Sequence, residues 1–80
     1  MLPIQDLLNK IKWDIRENPD DYLIFYYDRI LKELMQIPYN KIKRIEGSFM
    51  VLDNEEESNV PLHRIRKVAK NNAVVWERKQ

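Results

Sequence analysis

"IPYNKIKRIEGSFMVLD", residues 37–53, and "VPLHRIRKVAKNNAVVWER", residues 60–78, are two versions of one pattern, and the fold turns on that repeat. Ile37 aligns with Val60, Pro38 with Pro61, Ile42 with Ile65 and Ile45 with Val68. Each copy reads as a turn after proline, a strand, a tight turn and a second strand. The tight turns are predicted at Glu46-Gly47 and Asn71-Asn72, because Gly and Asn accept the positive φ of two-residue hairpins. The acidic stretch "NEEES" (54–58) joins the two units. A lone hairpin is marginal in water, so both units must share a core with the rest of the chain.

The first 36 residues supply that core. In "PIQDLLNKIKW" (3–13), Ile4, Leu7, Leu8 and Ile11 recur at helical spacing and form one apolar stripe. Pro3 suits the first turn of such a helix, where its missing N–H costs nothing. "ENPDD" (17–21) breaks it. "YLIFYYDR" (22–29) has no helical period and reads as a strand, with Tyr22, Ile24 and Tyr26 on one face and Leu23, Phe25 and Tyr27 on the other. Apolar side chains on both faces predict a strand covered on both sides. "LKELMQ" (31–36) is compatible with a helical turn, and its state is left open. The expectation is a single α+β domain over residues 1–80. It has an N-terminal helix packed on a mostly antiparallel sheet of about five strands, a sheet that also suits barrel-like closure.

Composition narrows the chemistry. With 44% apolar residues in 80, the chain can bury one core and is too apolar for a disordered segment. No cysteine and a single histidine, His63, argue against disulfides and against a protein-held metal, and no cofactor is expected. No apolar run reaches the roughly 18 residues of a membrane span, and no signal pattern opens the chain, so a cytoplasmic protein without membrane contact is expected. One glycine leaves no room for a glycine-rich phosphate loop. Ser48 and Ser58 stand in no nucleophile motif.

Charge is unevenly spread. Residues 60–80 carry six Lys/Arg against one acid, +5, whereas residues 1–59 carry eight against twelve, −4. That asymmetry points to an anion-binding face near the C-terminus. His63, Arg64 and Arg66 fall within four residues after Pro61. Arginine offers a planar fork for two phosphate oxygens, and histidine adds a directed N–H. In the first copy Asn40 and Lys41 occupy the places of His63 and Arg64, so the turn itself does not require histidine. Arg29 is a further cation at a strand end, and Asp28 is placed to orient an arginine or His63 by a charge-assisted hydrogen bond. The competing reading pairs Arg64 and Arg66 with the acidic loop. Trp13, Tyr26, Tyr27, Tyr39 and Trp76 are candidate stacking surfaces for unpaired bases. Trp76 sits in an apolar strand and reads as core, and Trp13, at a helix end beside Lys12, is the stronger stacking candidate.

"LLNKIKWD" (7–14), "YYDR" (26–29), "VPLHRIRKV" (60–68) and "VVWER" (74–78) together resemble a small archaeal family, the RNA cyclic group end recognition domain. The resemblance spans nearly the whole chain in order. It implies recognition of processed RNA 3′ ends, 2′,3′-cyclic phosphate or related groups. It also implies partners among RNA-repair or 2′,5′-phosphoesterase-like proteins, to which relatives are joined. Its polar signature falls on Asp28, Arg29, His63 and Arg64, with Lys10 and Trp13 from the helix motif. The chain departs from many relatives in its turns, with Asn71-Asn72 and "NEEES" where they place glycine. The leading reading is therefore a non-catalytic RNA-binding module, with a phosphate clamp drawn from Asp28, Arg29, His63, Arg64 and Arg66 and helped by Lys10 and Trp13. The second is an RNA end-processing phosphoesterase with His63 as general acid/base. The third is a protein-interaction subunit whose basic tail docks an acidic partner.

Overall fold

The computed structural model describes residues 3–54 and 58–78. The helix α1 runs over Ile4–Trp13, with Pro3 at its N-cap. All four stripe residues, Ile4, Leu7, Leu8 and Ile11, are buried. Asp14 ends the helix in extended geometry, and the 3₁₀ turn Pro19–Asp21 delivers the chain to β1, Tyr22–Asp28.

Asp28 then reverses the chain. Its Oδ1 accepts hydrogen bonds from the amides of Ile30 (2.9 Å) and Leu31 (3.0 Å), and its carbonyl accepts from Lys32 N (2.7 Å). Lys32 takes a positive φ of 55°. The segment left open between a helical turn and other structure is consequently a strand, β2, Glu33–Pro38, antiparallel to β1 from Asp28↔Glu33 to Leu23↔Pro38. Its helix formers yield because a hairpin satisfies the backbone of β1, and tertiary demand of this kind overrides a weak propensity.

Both repeat units appear, each with the same corner. After Pro38 comes the 3₁₀ turn Tyr39–Lys41, then β3 (Ile42–Glu46) and β4 (Phe49–Leu52). After β5 (Asn59–Pro61) comes the 3₁₀ turn Leu62–Arg64, then β6 (Ile65–Lys70) and β7 (Ala73–Glu77). The second hairpin turns at Asn71 and Asn72, with φ of 50° and 70°. The first turns at Gly47-Ser48, one residue later than expected, with Gly47 at φ 55° in the first loop position.

Strands of the class expected fall into two antiparallel sheets in place of one of about five strands, and no closed barrel forms among the described residues. The larger has the order β2-β1-β6-β7 and the smaller β3-β4-β5. Each corner carries the chain from one sheet to the other: β2 to β3 at Tyr39–Lys41, β5 to β6 at Leu62–Arg64. Pro38 and Pro61 end β2 and β5, each an edge strand, where a missing N–H breaks no ladder.

The core lies between the sheets and α1. A row of apolar residues crosses the larger sheet: Ile37 opposite Ile24, Ile24 opposite Val68, Val68 opposite Trp76. Ile24, Val68, Ile65, Leu8 and Met50 have no accessible surface, and burial of such a side chain stabilises by about 1.5–3 kcal/mol. Tyr39 Oη donates to Leu8 O at 2.9 Å, tying the first corner to α1. Tyr39 and Trp76 are thus core residues and cannot stack on a base. The other face of β1, with Leu23, Phe25 and Tyr27, is half-buried where the sequence pattern predicted cover on both sides. Cations from β6 cover it instead: Lys67 Nζ lies 4.7 Å from the centre of the Phe25 ring.

Candidate functional site

Three parts of the chain meet at the C-terminal end of β1 around a cleft of about 410 Å³. Residues Tyr26 to Ile30 form one wall, Asn54 and Ser58 of the β4–β5 connection with Asn59 of β5 form another, and Arg64 of the second corner also lines it. The Asp28 cap described above shapes the loop that presents Arg29 at the cleft. Asn54 and Ser58 brace the opposite wall through Asn54 Oδ1, which accepts from Ser58 N at 3.1 Å. Glu55, Glu56 and Glu57, the expected competitors for the arginines, lie outside the described residues.

Arg64 is half-buried, and its Nε is fully enclosed with no hydrogen-bond partner among the described residues. An enclosed N–H without an acceptor costs about 1–3 kcal/mol, more when charged, so the fold holds the Arg64 head group at the cleft against a penalty. The corner beneath it is held from behind by Arg78. Arg78 Nε donates to Ile65 O at 3.0 Å and its NH2 group to Leu62 O at 3.2 Å, clasping both ends of the turn. Its ring neighbour is Trp76, 5.2 Å from the guanidinium carbon.

The two corners differ where the repeat differs. Asn40 is consumed by structure, its Nδ2 donating to Asp20 Oδ1 at 2.9 Å. His63, at the same place in the second copy, is exposed, stands next to Arg64 and does not line the cleft.

Arg66 lies elsewhere. Between the pairs Phe25↔Lys67 and Tyr26↔Ile65 the register slips, leaving Arg66 as the extra residue of a β-bulge. A bulge lets neighbouring residues face the same side of a sheet. Ile65 and Val68 accordingly point into the core, while Arg66 and Lys67 lie over Tyr27 and Phe25 on the outer face, Arg66 at 5.6 Å from the Tyr27 ring centre. They line a shallow groove of about 380 Å³ together with Tyr27, Leu34, Glu77 and Arg78. Tyr27 lines both the groove and the cleft.

Lys10 and Trp13 border neither. Trp13 is 73% exposed with Lys12 Nζ 5.2 Å from its ring centre, and the charge of Lys10 acts on Asp14 and Glu17. Glu17 bonds the hydroxyl of Tyr22 and Lys70 Nζ (3.2 Å), which places this end of α1 at the start of β1. The cleft is at the other end of that seven-residue strand, about 20 Å away at the usual rise per residue. The structure therefore brings Asp28, Arg29 and Arg64 together, sets His63 beside them, moves Arg66 into an adjoining groove, and keeps Lys10 and Trp13 apart.

Charge around the cleft is tuned by burial. Tyr26 is held above its ordinary phenol value by burial first and then by the carboxylate of Asp28. At the far end the Tyr22 hydroxyl, then Lys70, holds the carboxyl of Glu17 below its ordinary value. Among the described residues no group of three or more His, Cys, Asp or Glu gathers to hold a metal ion, and no helix is long and apolar enough to cross a membrane. The sequence reading missed Asn54, Ser58 and Arg78. An Asn and a Ser bracketing an acidic run is a recognisable loop-bracing signal, and Arg78 stands inside the quoted "VVWER".

Comparison with known proteins gives a consistent result. The sequence profile of the MJ1316 RNA cyclic group end recognition domain matches residues 1–78. A UPF0248 protein of Saccharolobus islandicus strain L.S.2.15 is 32% identical over 96% of this chain and 100% of its own length. UPF0248 proteins of Saccharolobus solfataricus and Pyrococcus horikoshii are 29% and 40% identical, covering 96% and 92% of this chain and 98% and 87% of their own. No solved structure matches.

Proposed function

The chain belongs to the family of the MJ1316 RNA cyclic group end recognition domain, and from that premise we propose that the cleft grips the terminal phosphate of a processed RNA 3′ end, cyclic or open. Arg64 and Arg29 are the phosphate donors in this reading. Asp28 acts as a positioning residue, shaping the loop that carries Arg29. His63, the exposed neighbour of Arg64, adds an imidazole N–H from the rim. Tyr26 and Tyr27 flank the terminal nucleotide.

The observation that carries the reading is Arg64, half-buried with an Nε that has no partner among the described residues, lining a cleft shared with a second arginine. A phosphate in that cleft would pair with the guanidinium, whose planar fork matches two phosphate oxygens. The family name supports RNA with a cyclic end group as the bearer of the phosphate. Both arginines are permanently charged, so affinity should fall with added salt as bound counterions are released.

The test compares otherwise identical RNAs ending in 2′,3′-cyclic phosphate, 3′-phosphate and 3′-hydroxyl. Fluorescence anisotropy is expected to show tighter binding of the phosphate-bearing ends than of the hydroxyl end, and loss of that preference in Arg64→Gln. Equal affinity for all three ends would leave generic RNA binding and sink end recognition. The same titrations followed by gel analysis detect turnover. Conversion of the cyclic end that His63→Ala abolishes would replace a binding module by an enzyme.

A further inference from the structure

We infer that the groove on the outer face of the larger sheet is a second RNA subsite, which holds the nucleotide preceding the terminal one. The inference rests on the end-gripping reading for its direction and on separate geometry for its existence. β1 presents Phe25 and Tyr27 two residues apart on the face opposite the buried Ile24. The bulge at Arg66 turns two consecutive cations onto that same face, Arg66 over Tyr27 at 5.6 Å and Lys67 over Phe25 at 4.7 Å. Neither cation enters an ion pair among the described residues, and Glu77 is the one carboxylate lining the groove. Aromatic rings carrying cations that hold no ion pair among the described residues suit a single-stranded nucleic acid, whose bases stack and whose phosphates need countercharge. A guanidinium lying over a tyrosine ring also offers its outer plane to a base.

Continuity fixes which part of the RNA this is. Tyr27 is common to the cleft of Arg29 and Arg64 and to the groove of Arg66 and Lys67. A chain whose last phosphate sits in the cleft passes Tyr27 before leaving the protein, so its next base meets the Arg66–Tyr27 stack. The ligand is thus single-stranded RNA of at least two nucleotides, with an unpaired 3′ end. A blunt duplex end is excluded, because its penultimate base is held in the helical stack.

The experiment uses the full chain and a length series. Uridine 2′,3′-cyclic phosphate is compared with di-, tri- and hexanucleotides carrying the same end, by isothermal titration for the smallest and anisotropy for the rest. The expected result is a gain of about tenfold or more on adding the second nucleotide, the range that one stacked base supplies. Arg66→Ala and Lys67→Ala should each remove most of that gain and leave the mononucleotide constant unchanged. Affinity that ignores length, or variants that weaken mononucleotide and oligomer alike, would overturn the subsite. End-selective binding of the mononucleotide without a length gain removes the groove and spares the cleft. An Arg66-dependent length gain without end preference does the reverse.

Discussion

Replacing Arg78 by methionine tests whether the second corner is held as described. The guanidinium gives two hydrogen bonds, to Ile65 O at 3.0 Å and Leu62 O at 3.2 Å. A hydrogen bond contributes about 0.5–1.5 kcal/mol net and more with a charged group, and the half-buried position and the longer second bond argue for about 1 kcal/mol each. Methionine keeps contact with Trp76, and the backbone bond from Arg78 N to Arg66 O (2.8 Å) does not depend on the side chain. The expected loss is about 2 kcal/mol for the side chain as a whole. For a domain of this size total stability is about 4–12 kcal/mol, so the variant should fold. A loss of 2 kcal/mol lowers the melting temperature by about 8–16 °C. Urea denaturation followed by circular dichroism should show a lower midpoint with an unchanged m-value. Arg78→Lys should recover less than half, since one ammonium cannot span both carbonyls. A change below about 0.5 kcal/mol in Arg78→Met, the scale of an ordinary surface substitution, would refute the clasp.

Other expectations follow from single contacts. Gly47→Ala should cost about 1 kcal/mol by urea titration, from the positive φ alone, because the added Cβ meets no atom within 4 Å. Tyr39→Phe should cost about 1 kcal/mol in the same assay by deleting the hydroxyl on Leu8 O. Glu17 is held below the ordinary carboxylate value of 4.5 by the Tyr22 hydroxyl and then Lys70. Its folded form therefore binds protons less readily than its unfolded form, and the stability it adds is complete above about pH 4.5 and lost as pH falls through the lowered folded value. Melting curves from pH 2 to 7 should show wild type and Glu17→Gln converging in acid and separating toward neutrality. A constant difference across that range would contradict the linkage.

Much of the fold was legible because its devices are local. The proline at 38 and 61 and the period-two apolar residues after it mark each corner and hairpin, and the stripe from Ile4 to Ile11 marks the helix. Leu31 to Gln36 stayed undecided in the sequence because helix formers say nothing of a neighbouring strand edge. That segment becomes β2 once Asp28 caps the loop before it. Division into two sheets was also hidden, since it depends on which way each corner turns the chain.

Of the expected clamp, Asp28, Arg29 and Arg64 line one cleft, and their contact with an anion is our proposal. Arg66 was assigned to the same clamp because strand alternation cannot foresee a bulge, and the bulge sends it to the outer face. Lys10 and Trp13 carry suitable chemistry but lie at the opposite end of β1, a distance no spacing rule reveals. Arg78 looked like one more solvated cation, and its hydrogen bonds to two carbonyls appear only when β7 is laid beside β6.

The central claim concerns one proton, the Arg64 Nε–H. In ¹⁵N-resolved spectra, adding uridine 2′,3′-cyclic phosphate should move its resonance saturably and protect it from exchange. Uridine without phosphate should leave it in place. A phosphate-bearing nucleotide that binds without disturbing Arg64 Nε–H would contradict the account.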